Sequence, residues 1–500
     1  MNTSSSFVHD FLRRLRDSNQ PTAKSGQSSH YNHNNASTSN NGHQDVVLTS
    51  STPHSFQLGT GASIFTDTII PAITSAKSEL IFVTCFWAPS KSLSALHDTL
   101  FKLAAHRHSF TGLPVLKIRI CLSSRSLFQK LLHPQTRDGY VYPPSTWQKD
   151  FGLPSPDLLK AGNIDLQVKS LFFLPFSVMH PKFVIIDRQR AFVPSCNVSW
   201  EAWLEGCVEV SGDAVQQLMS FYSQTWDRDL DTKESLNLQG TSECGGLDLR
   251  EAGLSLVTSS AHLAAVIPAG IEQLPTLVLP SQYHRNPRFR PFPWQRPPTP
   301  PPTPLNIALL ELFDRSRETI YIQTPNLTCL PVINALLDAL QRGVDVSIVT
   351  SRNMMLLEQL VTAGTTTSWC IRSLQRRYKK LAEKFALHDD DVEAGGRNLG
   401  QLHISYFRQR RVAGAGDHRG GSLPVAGTNE EEPVHSHLKL TIVDGEYTLL
   451  GSGNMDRASW YTSQELGILF HDERFAVAVK ATVEKVLDGR LDAVFDSAEQ

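Results

Sequence analysis

The sequence predicts an α/β protein built from two tandem copies of one layered domain. Strand-type and helix-type segments alternate along two long stretches, and their order is the same in both. One short polar pattern also recurs near the end of each stretch, where chance repetition is a poor explanation.

Residues 1–54 are rich in Ser, Asn, His and Gln and poor in large apolar side chains. They read as disordered, with at most a short helix over Phe7–Arg16 and order beginning near Ser55. The first domain spans 55–231. It opens with an amphipathic helix (Ala62–Ser78) and a strand (Glu79–Thr84). A helix over Ser92–His106, a strand over Val115–Leu122 and a helix over Ser126–Leu132 follow. A strand over Ile164–Phe173 then leads to the first polar pattern, and Val208–Val210 with a helix over Ala214–Trp226 closes the half.

The second domain, 305–490, repeats this order. It has a helix (Asn306–Ser316), a strand (Thr319–Gln323), a helix (Val332–Gln341), a strand (Val344–Val349) and helices over Met354–Phe385. Leu402–Phe407 leads to the second pattern, and Gly467–Phe470 with Arg474–Leu487 matches the end of the first half.

Two stretches interrupt the repeat. Residues 232–304 end in Arg296–Pro304, nine residues of which six are proline; this is expected to be a polyproline II linker. A proline-motif-binding partner at 296–304 is the alternative. The insert 388–432 is Gly-rich and acidic and reads as a solvated loop, with His388–Asp391 as a cation-chelating alternative.

Composition narrows the function classes. With 47 basic and 49 acidic residues the net charge is −2, which counts against a nucleic-acid partner. The densest basic run, Gln375–Lys380, reads as a solvated helix face. Seven scattered cysteines without a C-x-x-C pair point to a reducing compartment, either cytoplasmic or peripheral at an organelle membrane. Arg13, Arg14 and Arg16 in a Ser-rich setting only faintly resemble a mitochondrial leader. No apolar run is long enough to span a bilayer. Leu171–Met179 is the most hydrophobic stretch and reads as a core strand, with a lipid-contacting lip as the sharper alternative.

The recurring pattern carries the chemistry. His180-Pro181-Lys182 with Asp187 recurs as His437-Leu438-Lys439 with Asp444. Ten residues after each aspartate a small-residue turn ends in asparagine, Pro194-Ser195-Cys196-Asn197 and Gly451-Ser452-Gly453-Asn454. On a strand, residues i and i+2 share a face, so each histidine projects beside its lysine. Two such pairs at a seam between domains suit phosphodiester chemistry. One neutral imidazole attacks phosphorus, the other protonates the leaving alcohol, and the ammonium groups stabilise the phosphoryl oxygens. Asn197, Ser452 and Asn454 are candidates to bond the same oxygens or orient the lysines.

H-x-K-x-x-x-x-D followed by G-S-x-N, twice in one chain, resembles the phospholipase D superfamily over about 55–230 and 305–490. The resemblance implies two tandem phospholipase D-like α/β/α domains forming a pseudo-dimer with one shared active site. It also implies a phosphohistidine intermediate, no cofactor and no metal. Asp187 and Asp444 enter as motif residues supporting the site, and precedent makes His180 the nucleophile and His437 the acid.

Gly451–Asp456 with Ser459 and Glu465 downstream, and Trp203–Val210, resemble the corresponding segments of cardiolipin synthases and related phosphatidyltransferases. That likeness adds Ser195, Glu205 and Glu465 as supporting residues, the two glutamates holding a histidine tautomer. The expected activity is cleavage or exchange of a glycerophospholipid head group, with peripheral membrane contact. The alternatives are a nuclease or other phosphodiesterase of the same superfamily, and an inactive phosphate-binding scaffold. Pro194, in place of the first motif's glycine, is the departure that bears most on activity.

Overall fold

A computed structural model of the chain describes residues 3–19, 46–110, 112–126, 129, 138–173, 177–199, 202–227, 263–265, 267–268, 270–281, 299–388, 398–410 and 432–499. The first half runs β1 (Thr49–Thr60), α2 (Gly61–Ile64), a π-turn (Phe65–Ile69), α3 (Ile70–Thr74), β2 (Glu79–Phe86), α4 (Lys91–His108) and β3 (Leu116–Ser124), after a separate α1 (Thr3–Asn19). It continues through β4 (Tyr140–Tyr142), α5 (Trp147–Phe151), α6 (Pro156–Ala161) and β5 (Ile164–Ser170). Short strands β6 (Phe172–Phe173) and β7 (Ser177–Val178) precede β8 (Phe183–Ile186), β9 (Arg190–Pro194), β10 (Trp203–Gly212) and α7 (Asp213–Thr225).

After β11 (Leu263–Ala264), the second half runs β12 (Leu274–Ser281), α8 (Pro304–Arg315), β13 (Thr319–Thr324), α9 (Leu330–Gln341) and β14 (Asp345–Ser351). Then come α10 (Leu356–Ala363), α11 (Thr367–His388), β15 (Leu402–Phe407), β16 (His435–Ser436), β17 (Leu440–Val443) and β18 (Tyr447–Gly451). The half ends with α12 (Arg457–Tyr461), β19 (Glu465–His471), α13 (Glu473–Leu487) and β20 (Leu491–Asp496).

The duplication holds for seven strands of each sheet, while the eighth differs in origin, β4 coming from the β3–β5 connection and β20 from the C-terminal end of the second half. The first sheet is β1-β10-β9-β8-β2-β3-β5-β4 and the second β12-β19-β18-β17-β13-β14-β15-β20. In each, β2-β3-β5 and β13-β14-β15 are parallel and the rest antiparallel. Thr49–Ser51 of β1 pair antiparallel with Leu274–Thr276 of β12, so the two sheets continue into one another. β2, buried along nearly its whole length, has the two-sided burial of an interior strand.

A central core fills the space between the halves. Ile81, Phe183, Val208, Leu218 and Trp226 of the first half meet Tyr321, Leu440, Ile468, Val479 and Val483 of the second. Each half has a further core on its outer face. The tandem α/β/α pseudo-dimer expected from the sequence is the fold observed.

The domain edges differ from the sequence reading. Within 1–54, α1 is a helix whose Phe7, Phe11 and Leu15 are buried in the second half's core, and β1 starts at Thr49 rather than Ser55. An apolar i, i+4, i+8 stripe in a polar-rich segment is easily missed by composition. Residues 232–304 are not a linker throughout, because β12 pairs with β19 as β1 pairs with β10. The second repeat therefore begins near Leu274.

The proline run ends in a cap rather than a free peptide. Thr303 is buried and accepts from Asn306 N at the start of α8, and Pro301 O accepts from Asn306 Nδ2. Residues 296–298 lie outside the described residues. Within the expected insert 388–432, Leu402–Phe407 is a sheet strand, and Glu432 is bonded by both ends of the Arg490 guanidinium. Asp389–Asp391 and most of Ser126–Leu132 lie outside the described residues. Of the Leu171–Met179 stretch, Leu171, Phe172 and Met179 are buried and 174–176 are not described. Among the described residues no helix is long and apolar enough to cross a membrane.

Candidate active site

Both polar patterns lie at the same end of the sheet, beyond the C-terminal ends of the parallel strands, where ligands bind in open α/β sheets. The chain entering each motif is tied to the other half. Leu204 pairs with Ser436, and its counterpart Gln464 pairs with Met179. His437 N donates to Leu204 O and His180 N to Gln464 O, both at 2.9 Å. Two pseudo-symmetric crossings thus bring His180 and His437 to the seam.

Each imidazole is held by a carboxylate from the opposite half. His180 Nδ1 lies 2.8 Å from Glu465 Oε2, and His437 Nδ1 lies 2.8 Å from Glu205 Oε1. A carboxylate at Nδ1 selects the tautomer with hydrogen on Nδ1 and leaves the Nε2 lone pair for chemistry. Ser195 Oγ donates to Glu205, while Ser452 Oγ and Ser459 Oγ donate to Glu465. The turn serines are themselves fixed, Ser195 Oγ accepting from Gly206 N and Ser452 Oγ from Leu466 N.

Pro194 does not disturb this frame. Ser195 N donates to Gly206 O at 2.8 Å, as Ser452 N donates to Leu466 O at 2.9 Å. The second turn needs glycine because Gly451 has φ 154° and a Cβ there would lie 2.2 Å from Leu466 O. Pro194 instead ends β9 opposite Cys207 without a positive φ.

The lysines are buried beside the rings. Lys182 is 1 % exposed and donates to His180 O at 2.9 Å. Lys439 Nζ lies 2.8 Å from Nδ1 and 2.9 Å from Nε2 of His437, against the ring. The Trp203 ring, 4.8 Å away, covers the His437 imidazole.

Burial dominates the electrostatics. It pushes His180 below and His437 well below the usual histidine range, with Lys439 and Lys182 lowering His437 further. Glu465 partly offsets the effect at His180. Desolvation lowers Lys439 to about 7 and raises Glu205 to about 7, each partly offset by the other. The site therefore favours neutral imidazoles and holds a lysine able to release its proton near neutrality.

Several expected site residues stand elsewhere. Asp187 and Asp444 lie roughly 20 Å along the strand from their histidines. Both sit in β-hairpin turns with φ near 50°. Asp187 accepts from Lys77 N, Ser78 N, Ser78 Oγ and Glu79 N, and Asp444 from Arg317 N, Glu318 N and Thr319 N. They fasten each motif hairpin to the start of its central strand.

The asparagines bond locally. Asn197 Oδ1 accepts from Phe86 N, and Asn454 Nδ2 donates to Asp456. Asn454 Oδ1 is buried without a hydrogen-bond partner among the described residues. Ser195 and Ser452 bond the glutamates rather than the lysines.

The structure adds residues the sequence reading passed over. Ser123 Oγ accepts from Met179 N, and Ser351 Oγ both donates to Ser436 O and accepts from Ser436 N. Each is a serine at the C-terminal end of the second parallel strand of its half, a match that superposing the two repeats would have exposed.

Residues 309–487 match the family model described as cardiolipin synthase, PLD-like domain. The second half of the chain is a phospholipase D-like domain. The first half repeats the order of seven of its strands, its motif and its cross-half glutamate, so the two histidines meet at a seam between like halves.

Among solved structures, phosphatidylserine synthase from Haemophilus influenzae Rd KW20 aligns over 90 % of each chain at 14 % identity and TM-score 0.49. Polyphosphate kinase from Porphyromonas gingivalis aligns over 86 % of this chain and 47 % of its own, at 12 % identity and TM-score 0.40. Nuc from Salmonella typhimurium, a phospholipase D family member, aligns over 38 % of this chain and 90 % of its own, at 15 % identity and TM-score 0.24. No curated protein matches the sequence.

Proposed function

We propose that this phospholipase D-like protein is a phosphodiesterase that cleaves or exchanges a glycerophospholipid head group through a covalent phosphohistidine. The observation that carries the proposal is the crossed pair His180–Glu465 and His437–Glu205, each 2.8 Å long. It supports a reading in which two imidazoles, each held at Nδ1 by a buried carboxylate, work beside two buried lysines.

In this reading His180 is the nucleophile. Among the described residues its Nε2 has no hydrogen-bond partner, its ring is the more exposed of the two, and burial keeps it neutral. The Nε2 lone pair attacks phosphorus as the bond from phosphorus to the head-group oxygen breaks. The departing oxygen takes a proton from the His437–Lys439 pair, in which Lys439 Nζ lies 2.9 Å from His437 Nε2 and burial lowers the lysine to about 7. Water or an alcohol then gives that pair its proton and displaces His180, which releases the phosphatidic acid or the new phospholipid. Lys182 and Lys439 stabilise the phosphoryl oxygens as charge builds. A phospholipid fits the near-neutral overall charge better than a polyanionic nucleic acid does.

The test is turnover of phosphatidylglycerol and phosphatidylcholine, with and without added glycerol, alongside a single-stranded oligonucleotide. Lipid products that vanish equally in His180→Ala and His437→Ala are expected, because residues acting as a unit fail together. A new lipid formed only with glycerol would make the protein a transferase. Oligonucleotide cleavage without lipid turnover would overturn the reading.

A further inference from the structure

Helix α10 is folded inside out. Of its eight residues only Gln359 is buried, while Leu356, Leu357, Leu360 and Val361 are 40, 77, 46 and 57 % exposed. The buried amide anchors the helix. The Gln359 side chain bonds that of Asn326 at 2.8 Å and accepts from Thr367 N and Oγ1. A water-facing helix normally buries its apolar residues and exposes its polar ones. The reverse, held by specific hydrogen bonds, marks a contact surface.

The next helix extends this surface with charge. Trp369, 57 % exposed, opens α11, and Arg376, Lys380 and Leu387 follow on the same face at helical spacing. The opposite face packs Ile371, Leu374 and Tyr378 into the second core. Residues 352–388 contain seven Arg or Lys (352, 372, 376, 377, 379, 380, 384) and two acids (358, 383), in a chain whose net charge is −2. An exposed aliphatic helix beside an aromatic and basic stripe is the pattern of an anionic bilayer surface ligand.

The surface is continuous with the candidate site. α10 begins just beyond β14, whose last residue Ser351 bonds Ser436, the neighbour of His437. Asn326, which holds Gln359, lies between Thr324, whose Oγ1 accepts from Met455 N, and Leu327, which bridges to Met455; Met455 follows Asn454.

We propose that α10 and the exposed stripe of α11 dock the protein on an anionic phospholipid bilayer, with α10 inserted among the head groups beside the site. The inference deepens the phospholipid reading and names its physical form as a membrane surface. This surface lies apart in the chain from Leu171–Met179, the stretch read from the sequence as a core strand with a lipid-contacting lip as the alternative.

The test is flotation of full-length His437→Ala protein with vesicles of phosphatidylglycerol and phosphatidylcholine, and of phosphatidylcholine alone. The expected result is co-flotation with anionic vesicles, weakened at high salt. It should fall about tenfold or more in Leu357→Asp/Val361→Asp and in Arg376→Glu/Lys380→Glu. The same surface substitutions in the otherwise unaltered protein should leave turnover of monomeric dihexanoyl-phosphatidylglycerol within about twofold. Undiminished flotation of both variants, no flotation of the parent, or a dimer that the variants dissociate without loss of flotation would each overturn the proposal. Flotation that depends on these residues, with no turnover of the monomeric lipid, would support docking and count against the head-group chemistry.

Discussion

Replacing Glu465 by glutamine removes a charge and almost no volume, yet it acts on a histidine in the other half of the chain. Glu465 is 1 % exposed and accepts from His180 Nδ1, Ser452 Oγ and Ser459 Oγ. A hydrogen bond to a charged group contributes about 1.5–3 kcal/mol, against about 0.5–1.5 kcal/mol for a neutral one. Glu465→Gln should therefore cost about 1 kcal/mol in holding the ring. The cost rises to about 3 kcal/mol if positive charge develops on His180 during phosphoryl transfer. At about 1.4 kcal/mol per decade, kcat should fall about 5- to 150-fold, with KM nearly unchanged.

Steady-state turnover of a monomeric short-chain phosphatidylglycerol reads this directly, and a melting curve shows whether the fold survives. Glu465→Gln combined with His180→Ala should be no slower than His180→Ala alone, because both changes disable one unit. A folded Glu465→Gln protein with kcat within about twofold of the parent would refute the crossed orientation of the histidines.

The motif aspartates should behave oppositely. Asp187→Asn and Asp444→Asn each weaken three backbone hydrogen bonds at the base of a hairpin, and should cost about 2–4 kcal/mol of stability in urea unfolding. Their kcat should stay within a few-fold at a temperature where they are folded; a stable variant with abolished kcat would return these residues to the site. The pH profile follows from Lys439. Its pKa is lowered to about 7, so its charge is present below that pH and lost above it. kcat/KM should fall as pH rises through about 7, while a bound phosphodiester anion should move the limb in kcat to higher pH. A flat kcat/KM between pH 6 and 9 would contradict this assignment.

The duplicated architecture was legible because apolar strand runs and the H-x-K pattern are local signals, present twice. His180, Lys182, His437 and Lys439 were readable for the same reason. Glu205 and Glu465 were visible only by resemblance, because the bond each makes spans more than 200 residues and crosses between halves. Asp187 and Asp444 entered the site only through the resemblance, and their bonds to the start of the central strands, far along the chain, left no local signal. The burial and full extent of α1, read only as a short helix over Phe7–Arg16, and β12 altogether were hidden by composition: each is stabilised by tertiary partners, Tyr447 and α8 for α1 and β19 for β12, rather than by a strong local pattern.

The most direct measurement of the central claim is intact-protein mass after a rapid alkaline quench of turnover on dihexanoyl-phosphatidylglycerol, since a phosphohistidine survives base better than acid. The proposed chemistry requires a phosphatidyl adduct on the parent, mapped to His180, and none on His180→Ala. Full turnover with no adduct, or an adduct that survives the loss of both histidines, would contradict it.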